Sequence, residues 1–233
     1  MESLEILANN LANSTTTGFK AEREAFGLFV SPDAEPGESI GTTVPVTERA
    51  WTDHNQGPLQ STGKPTDLAL SGRGFFSLGG GSTEFYTRAG NFRIAPTGRL
   101  ESTEGRPVLD SLDRPIQIAP NAEIHITPSG QLFQNGAALA QLKIVEFPRP
   151  EALIKRGAAA FLLREGAPVA DQPVAAKQFQ LYQGYLEAPN VHAAESSVRM
   201  IQVLRQFESL QRAMAMTSEM NQKVLDEVVR SHG

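Results

Sequence analysis

Cysteine is absent from this chain of 233 residues, which excludes a disulfide framework, a thiolate metal site and a cysteine nucleophile. Long apolar runs are absent too, and no stretch of about 18 residues is apolar enough to span a membrane. The segment Met1–Leu7 carries acidic side chains where a secretory signal peptide would carry Lys or Arg. We therefore expect no membrane insertion and no cleaved signal peptide.

A positive charge excess is also missing, since 21 Lys and Arg stand against 26 Asp and Glu. A dedicated nucleic-acid surface needs a clear excess of basic side chains to displace phosphate counterions, so no nucleic-acid partner is expected. The contents of hydrophobic residues (40%) and charged residues (20%) are typical of a folded protein. The length suffices for one sizeable β domain or two small domains with a real core.

Side chains that could perform chemistry do not gather into motifs. The four histidines are dispersed, with none at metal-ligand spacing: His54, His125, His192 and His232. Residues 57–64 resemble a phosphate-binding loop with one residue too many, and Pro65 stands where Ser or Thr would hold magnesium. We predict no catalytic residue, no bound metal and no cofactor, and hence a protein that is not an enzyme.

The central part of the chain has the pattern of short β-strands. Alternating apolar stretches recur between residues 67 and 186, separated by turn signals, of which Asn135-Gly136 is the strongest because a tight hairpin needs two residues with positive φ. We predict a mainly β protein with a central all-β domain, sandwich-like or barrel-like, over residues 67–189 and a linker near 164–176. Residues 31–66 are expected to form an extended connecting region.

Helical periodicity marks the N-terminal end. Leu4, Leu7 and Leu11 are spaced three and then four residues apart, and the run Thr15–Gly18 opposes continuation of the helix. Residues 1–30 are predicted as a helix followed by an exit turn. A helix of about 12 residues is marginal by itself in water, so it needs a packing partner.

The C-terminal end, residues 190–233, is predicted as one long helix. Asn190 is a plausible N-cap, and no Pro or Gly follows it before the final residue. Nine positions spaced three and four residues apart form a heptad seam: Met200, Val203, Phe207, Leu210, Met214, Thr217, Asn221, Val224 and Val228. Further apolar residues widen this seam beyond a two-stranded stripe: Ile201, Leu204, Ala213, Met216, Met220 and Leu225.

The seam has an energetic consequence. Leaving its large apolar side chains in water would forfeit on the order of 10 kcal/mol, comparable to the stability of a whole domain. We expect the terminal helices to form a coiled-coil bundle with each other and with other subunits, or to stay partly disordered until they do. The alternative is a long helix that packs on its own β domain.

Four motifs follow one another in residues 8–20, 57–76, 86–109 and 184–191, and the first reads Ala8-Asn9-Asn10-Leu11-Ala12-Asn13 followed by Thr16-Thr17-Gly18-Phe19-Lys20. In this order they resemble the flagellar axial family of rod, hook and hook-associated proteins. The length and the β region are most similar to the proximal rod protein and next to the distal rod protein. The resemblance implies a structural subunit of the basal-body rod whose terminal helices form an inner coiled-coil tube. It also implies partners, namely copies of the chain and other rod or hook subunits, and export by the flagellar type III apparatus into the periplasm-spanning rod.

Within this resemblance, the predicted subunit interface combines both helices. The N-terminal contribution is Leu4, Leu7 and Leu11, with Asn9, Asn10 and Asn13 setting register through their amides as a buried Asn does in coiled coils. Those amides could instead cap the helix and its exit turn. Gly18 is predicted as the hinge. The C-terminal contribution is the seam: Met200, Val203, Phe207, Leu210, Met214, Asn221, Val224 and Val228.

Other functions remain open at this point. One is a distal rod or hook-type axial subunit, and another is a cell-envelope β protein, carbohydrate-binding or hydrolytic, for which no paired carboxylates are apparent. A third is a soluble oligomer with a helical stalk. Arg88, Arg93, Arg99 and Arg106 could suggest an RNA-binding sheet, but a solvated or subunit-contacting strand face is the preferred interpretation.

Overall fold

The computed structural model describes residues 2–30, 43–81, 83–119 and 122–231. The chain divides into two units, one made of Met1–Leu11 with His192–Gly233 and the other of Ala12–Val191. The helical unit holds α1 (Glu2–Ala12) and α2 (Ala193–Ser231), the latter 39 residues long and therefore about 58 Å. Both helices lie at the ends of the chain that the heptad and leucine spacing indicated.

The second unit, called the β unit below, contains the strands. In chain order they are β1 (Glu22–Val30), β2 (Thr43–Thr52), β3 (Leu59–Ser61), β4 (Leu68–Gly72), β5 (Phe75–Gly80), β6 (Thr83–Thr87), β7 (Arg93–Ile94), β8 (Leu100–Glu101), β9 (Ile124–Ile126), β10 (Gln131–Gln134), β11 (Ala137–Gln141), β12 (Ile144–Glu146), β13 (Leu153–Arg156), β14 (Ala160–Leu163), β15 (Val174–Ala175), β16 (Phe179–Gln183) and β17 (Tyr185–Glu187). The prediction of a mainly β protein is confirmed.

The largest sheet has six strands in the order β13-β14-β6-β5-β12-β15, and every pairing in it is antiparallel. A three-stranded sheet has the order β11-β10-β9, and the remaining strands form the pairs β1-β2, β16-β4, β17-β3 and β7-β8. Within the described ranges these sheets do not close into a barrel, so the barrel-like option is wrong. The predicted Asn135-Gly136 turn joins β10 to β11 with φ of 48° and 83°, as a tight hairpin requires.

Strand β5 shows how the core is organised. Consecutive side chains on a strand point to opposite faces, so Phe75 and Phe76 enter two different apolar clusters. Phe76 packs edge-to-face on Phe92 at a centroid distance of 5.2 Å, in the cluster that also holds Leu68, Leu100 and Leu132. Phe75 packs edge-to-face on Phe147 and on Phe161, at 5.8 Å each. Phe75, Phe76 and Phe92 thus belong to the core of the β unit.

One region differs from the sequence expectations. Strands β1 and β2 lie in residues 22–52, where no strand was predicted. Residues 31–42, part of the expected extended connecting region, fall outside the described residues. The predicted linker near 164–176 contains a single 3₁₀ turn (Val169–Asp171) and the short edge strand β15.

Candidate assembly site

Helix α2 carries large apolar side chains that are exposed to solvent. Between residues 198 and 220 their exposed fractions range from 44% to 73%: Val198, Ile201, Leu204, Phe207, Leu210, Met214, Met216 and Met220. Met200 and Val203 are half-buried, while Thr217 is exposed. The predicted seam residues Asn221, Val224 and Val228 lie on α2, and their side chains are outside the described set. A row of exposed apolar side chains of this length is typical of an interaction surface.

Helix α1 is more covered than α2. Ile6, Leu7 and Asn10 are buried, whereas Leu4, Asn9, Leu11 and Asn13 are half-buried. The Asn13 carboxamide oxygen accepts a hydrogen bond from the Thr16 hydroxyl at 3.2 Å, and the Asn13 carbonyl accepts one from the Thr16 amide at 3.0 Å. These contacts belong to the exit turn and favour the capping role for Asn13.

Gly18 ends this exit turn at a place with no room for a side chain. Its φ is +66°, and a Cβ built on it would lie 2.3 Å from the amide nitrogen of Ala89 and 2.5 Å from the carbonyl carbon of Arg88. Its amide donates to the carbonyl of Glu187 at 2.8 Å. Both the left-handed backbone and the close approach therefore require glycine here.

Next to Gly18, four polar side chains join the two ends of the β unit. We call Lys20, Arg88, Glu187 and Asn190 the junction cluster. Lys20 Nζ lies 2.6 Å from Glu187 Oε1, and Arg88 NH1 lies 3.3 Å from Glu187 Oε2. Lys20, Arg88 and Glu187 are all nearly inaccessible to water, with at most 4% exposure each.

Backbone groups supply further hydrogen bonds to these charges, although Arg88 Nε is buried and has no hydrogen-bond partner among the described residues. Lys20 Nζ donates to the carbonyl of Asn55 at 2.7 Å, and the amide of Gly57 donates to Glu187 Oε1 at 3.0 Å. Arg88 donates through NH2 to the carbonyl of Gly72 at 2.6 Å and through NH1 to that of Leu70 at 3.3 Å. The three charges are thus tied to several separate segments of the β unit.

Burial sets the titration of the two cations. Loss of hydration lowers the pKa of Lys20, against the opposing attraction of Glu187. The same loss of hydration lowers the pKa of Arg88, again against the attraction of Glu187. Removing Glu187 would leave two buried cations without their counter-ion, which is a large penalty.

Asn190 completes the cluster and is not the N-cap of α2. Its side-chain oxygen accepts from the amide of Ala21 at 2.7 Å, and its Nδ2 donates to the carbonyls of Asp53 and Asn55 at 2.7 and 3.1 Å. Helix α2 begins three residues later at Ala193. The N-cap prediction is wrong because long-range backbone groups use the side chain that the local pattern assigned to the helix.

Lys155 on β13 holds the same N-terminal connection from another side. Its ammonium group lies 3.7 Å from the ring centroid of Phe19, which is fully buried, and donates to the carbonyl of Lys20 at 2.9 Å. It also pairs with Glu22 at 3.0 Å. A cation over an aromatic face is attracted by the ring quadrupole, so Phe19 anchors the connection as well as filling space.

A cavity of about 480 Å³ opens beside the cluster. Its lining includes Trp51, His54, Phe75 and Arg88. The His54 ring packs on Phe75 and Phe161, with centroids 5.7 and 5.2 Å away. Burial, with a smaller contribution from the positive charge of Lys20, lowers the pKa of His54 to about 4. This ring is therefore neutral at pH 7.

No metal-binding group of side chains was found in the described parts of the chain. Within the same ranges, neither helix combines the length and the apolar character that a membrane crossing demands.

Three family models match the chain in order. The Flagella basal body rod protein model matches residues 2–20, the Flagellar hook protein FlgE/F/G D1 domain matches 69–134, and the Flagellar basal body rod FlgEFG protein C-terminal model matches 182–227. The chain is 33% identical over 229 residues to the flagellar basal-body rod protein FlgF of Caulobacter vibrioides. The aligned residues cover 96% of this chain and 90% of that protein. It is a member of the flagellar basal-body rod protein family.

Relatives named FlgG match about as well. The flagellar basal-body rod protein FlgG of Buchnera aphidicola (subspecies Acyrthosiphon pisum) is 32% identical over 243 residues, covering 95% of this chain and 92% of that protein. The FlgG of Bacillus subtilis is 30% identical over 246 residues, covering 96% and 92%. The resemblance inferred from the four motifs is confirmed.

The junction cluster draws on all three matched segments. Lys20 comes from the first, Arg88 from the second, and Glu187 and Asn190 from the third. All four residues lie inside the motifs of the family resemblance, but the sequence does not connect them. The predicted solvated or subunit-contacting strand face is wrong for Arg88, because its side chain is buried against Glu187. No local signal in the sequence marks these four side chains as partners of one another.

Proposed function

We propose that this chain is a structural subunit of the flagellar basal-body rod that assembles through its two terminal helices. The observation that carries the proposal is the row of exposed apolar side chains on α2, at the end of a chain that belongs to the rod protein family. Relatives named FlgF and FlgG match with nearly equal identity, so the proposal concerns the rod and not one position within it. A distal rod or hook-type axial subunit is the second candidate.

The proposed interface is a coiled coil along the seam of α2. Phe207, Leu210 and Met214 follow heptad spacing and are 45%, 63% and 73% exposed. Covering the exposed part of each would stabilise an assembly by roughly 1–2 kcal/mol, and the eight exposed apolar side chains of α2 together by on the order of 10 kcal/mol. The sequence continues the seam through Asn221, Val224 and Val228. Partners would be other copies of this chain and other rod or hook subunits.

Helix α1 would supply the second half of the interface. Leu4, Leu7 and Leu11 are its apolar contribution, and the amides of Asn9 and Asn10 would fix register against neighbouring chains. The turn at Gly18 would aim the helix. Because a repeated heterologous contact that does not close into a ring builds an open helical tube, such subunits would form a rod-like assembly.

Delivery to the rod follows from the same proposal. A rod subunit of this kind would leave the cytoplasm through the flagellar type III export apparatus without a cleaved signal peptide. It would then function in the part of the basal body that crosses the periplasm. No nucleic-acid contact, membrane insertion or catalytic step is part of this role.

Sedimentation velocity combined with far-ultraviolet circular dichroism on the purified full chain tests the interface. The chain should self-associate as its concentration rises and gain helical signal as it does so. Phe207→Asp with Leu210→Asp should abolish both effects and leave the β-sheet signal unchanged. Gln202→Asp with Ser209→Asp is the matched control, because it adds the same two charges to α2 outside the seam.

A parental chain that remains a fully helical monomer at every concentration would contradict the proposed interface. Equal self-association of the two double variants would also contradict it.

A further inference from the structure

Lys20, Glu187 and Asn190 of the junction cluster lie in the two chain segments next to the terminal helices. Residues 13–20 follow α1, and residues 187–192 precede α2. The two connections meet through a backbone bond from the Gly18 amide to the Glu187 carbonyl, 2.8 Å, and through the Lys20–Glu187 ion pair. The partners are 169 and 167 positions apart along the chain, so these contacts join its two ends.

Asn190 connects a third segment of the chain to these two. It stands in the connection to α2, accepts from Ala21 in the connection from α1, and donates to the carbonyls of Asp53 and Asn55 at the end of the β1-β2 ribbon. One uncharged side chain thus fixes three segments at once. An amide side chain can do this because it offers both an acceptor and donors.

The two apolar clusters of the β unit are built without these connections. Neither cluster contains a residue from 12–23 or from 184–191. A buried ion cluster is also a weak stabiliser, since the cost of dehydrating the charges offsets much of their attraction. The intact cluster therefore adds little net stability to the β fold, although removing one of its charges alone would be costly, and a requirement for one fixed geometry of the two connections accounts for it better.

We infer that Asn190 and Glu187 are positioning residues that lock the two helix connections together, so that both terminal helices start from fixed points. This inference rests on the proposed function, because fixed starting points matter only if the helices assemble with those of other subunits. If the two connections were not held together, each terminal helix would adopt a range of orientations. Docking of each added subunit would then cost orientational entropy. The lock thus makes addition of subunits favourable without itself touching a neighbour.

The test uses two variants and one matched control in the full chain. Asn190→Ala removes the three side-chain hydrogen bonds, and Glu187→Gln keeps the shape but removes the counter-charge of Lys20 and Arg88. Asn55→Ala is the control, because Asn55 is exposed and contributes only its backbone carbonyl to the cluster. Since the chain has no cysteine, Thr15→Cys with His192→Cys allows two spin labels to be placed at these positions alone.

Three readouts are measured for each chain. Hydrogen exchange should show about a tenfold loss of protection at Ala21 in Asn190→Ala, while the amides of β5 and β6 stay protected within about twofold. The distance distribution between the labels should be narrow in the parent and in Asn55→Ala, and broad in both cluster variants. Incorporation into basal bodies isolated from cells that depend on this chain should fall at least about tenfold in both cluster variants and remain normal in the control.

Specific outcomes would overturn the inference. One is a label distribution that stays narrow in both cluster variants. Another is a broad distribution with normal incorporation, which would leave the proposed function intact and remove only the positioning role. Loss of protection in β5 and β6 in both variants would show that the cluster serves fold stability instead. Failure of the proposed function has a different signature, namely normal incorporation of Phe207→Asp with Leu210→Asp.

Discussion

Replacement of Gly18 by alanine separates two costs that glycine avoids in this protein. The φ of Gly18 is +66° and that of Gly63 is +69°, so alanine would be equally strained at both positions. A left-handed residue with a Cβ costs about 1–2 kcal/mol. A Cβ on Gly63 would have no atom within 4 Å, whereas one on Gly18 would lie 2.3 Å from the amide nitrogen of Ala89.

The magnitude follows from this difference. Gly63→Ala should reduce the free energy of unfolding by about 1 kcal/mol, since the conformational penalty is partly offset by the reduced freedom of the unfolded chain. Gly18→Ala adds an overpacking cost of about 1–3 kcal/mol, because the atoms it meets are backbone and cannot rotate away. We expect Gly18→Ala to be the less stable variant by roughly 2 kcal/mol.

Equilibrium unfolding in urea, followed by the fluorescence of the single Trp51, measures both variants in the β unit. With a slope of about 2 kcal/mol per M, the two midpoints should differ by about 1 M. Coincident midpoints would refute the reasoning, because they would show that the backbone around Ala89 yields freely to a methyl group.

Two further predictions concern stability. His54 should make the β unit less stable in acid. Between pH 6.5 and the folded pKa of about 4, the unfolded chain binds a proton that the folded chain does not. The free energy of unfolding should therefore fall by up to about 3 kcal/mol as the pH falls across that window. Urea titrations at pH 7 and pH 4.5 should show this fall in the parent and a smaller one in His54→Phe, and equal falls would contradict it. Phe92→Ala should lower the free energy of unfolding by about 3–5 kcal/mol because Phe92 is fully buried. Leu112→Ala should change the urea midpoint by little, because that side chain is 65% exposed. Similar losses of stability in the two variants would argue against the packed core.

Local signals in the sequence predicted the elements that depend on local physics. The heptad spacing located α2 because apolar side chains three and four positions apart share one helix face, and Asn135-Gly136 located a tight turn because both residues accept positive φ. Strand β2, the partner of β1, was missed because Pro45 interrupts it, and proline usually argues against a strand. The two form a two-stranded ribbon, in which both strands are edges and a proline is tolerated.

The candidate site was harder to predict, since its contacts are long-range. No neighbouring residue in the sequence indicates that Arg88 is buried, and a charged residue is rarely buried unless it is paired. Its partner Glu187 lies 99 positions away. Asn190 has the local pattern of a helix cap, and only the folded β unit brings the amide of Ala21 to its side-chain oxygen. Motifs thus revealed the family, while the interactions inside them required the structure.

In the proposed function, α2 builds this chain into the rod through its exposed seam. The most direct measurement is the amount of chain in basal bodies isolated from cells in which it is the only copy, together with swimming in soft agar. Phe207→Asp with Leu210→Asp should leave the isolated rods without this chain and the cells non-motile, while Gln202→Asp with Ser209→Asp behaves as the parent. Rods that contain the seam variant at the parental level would contradict the account.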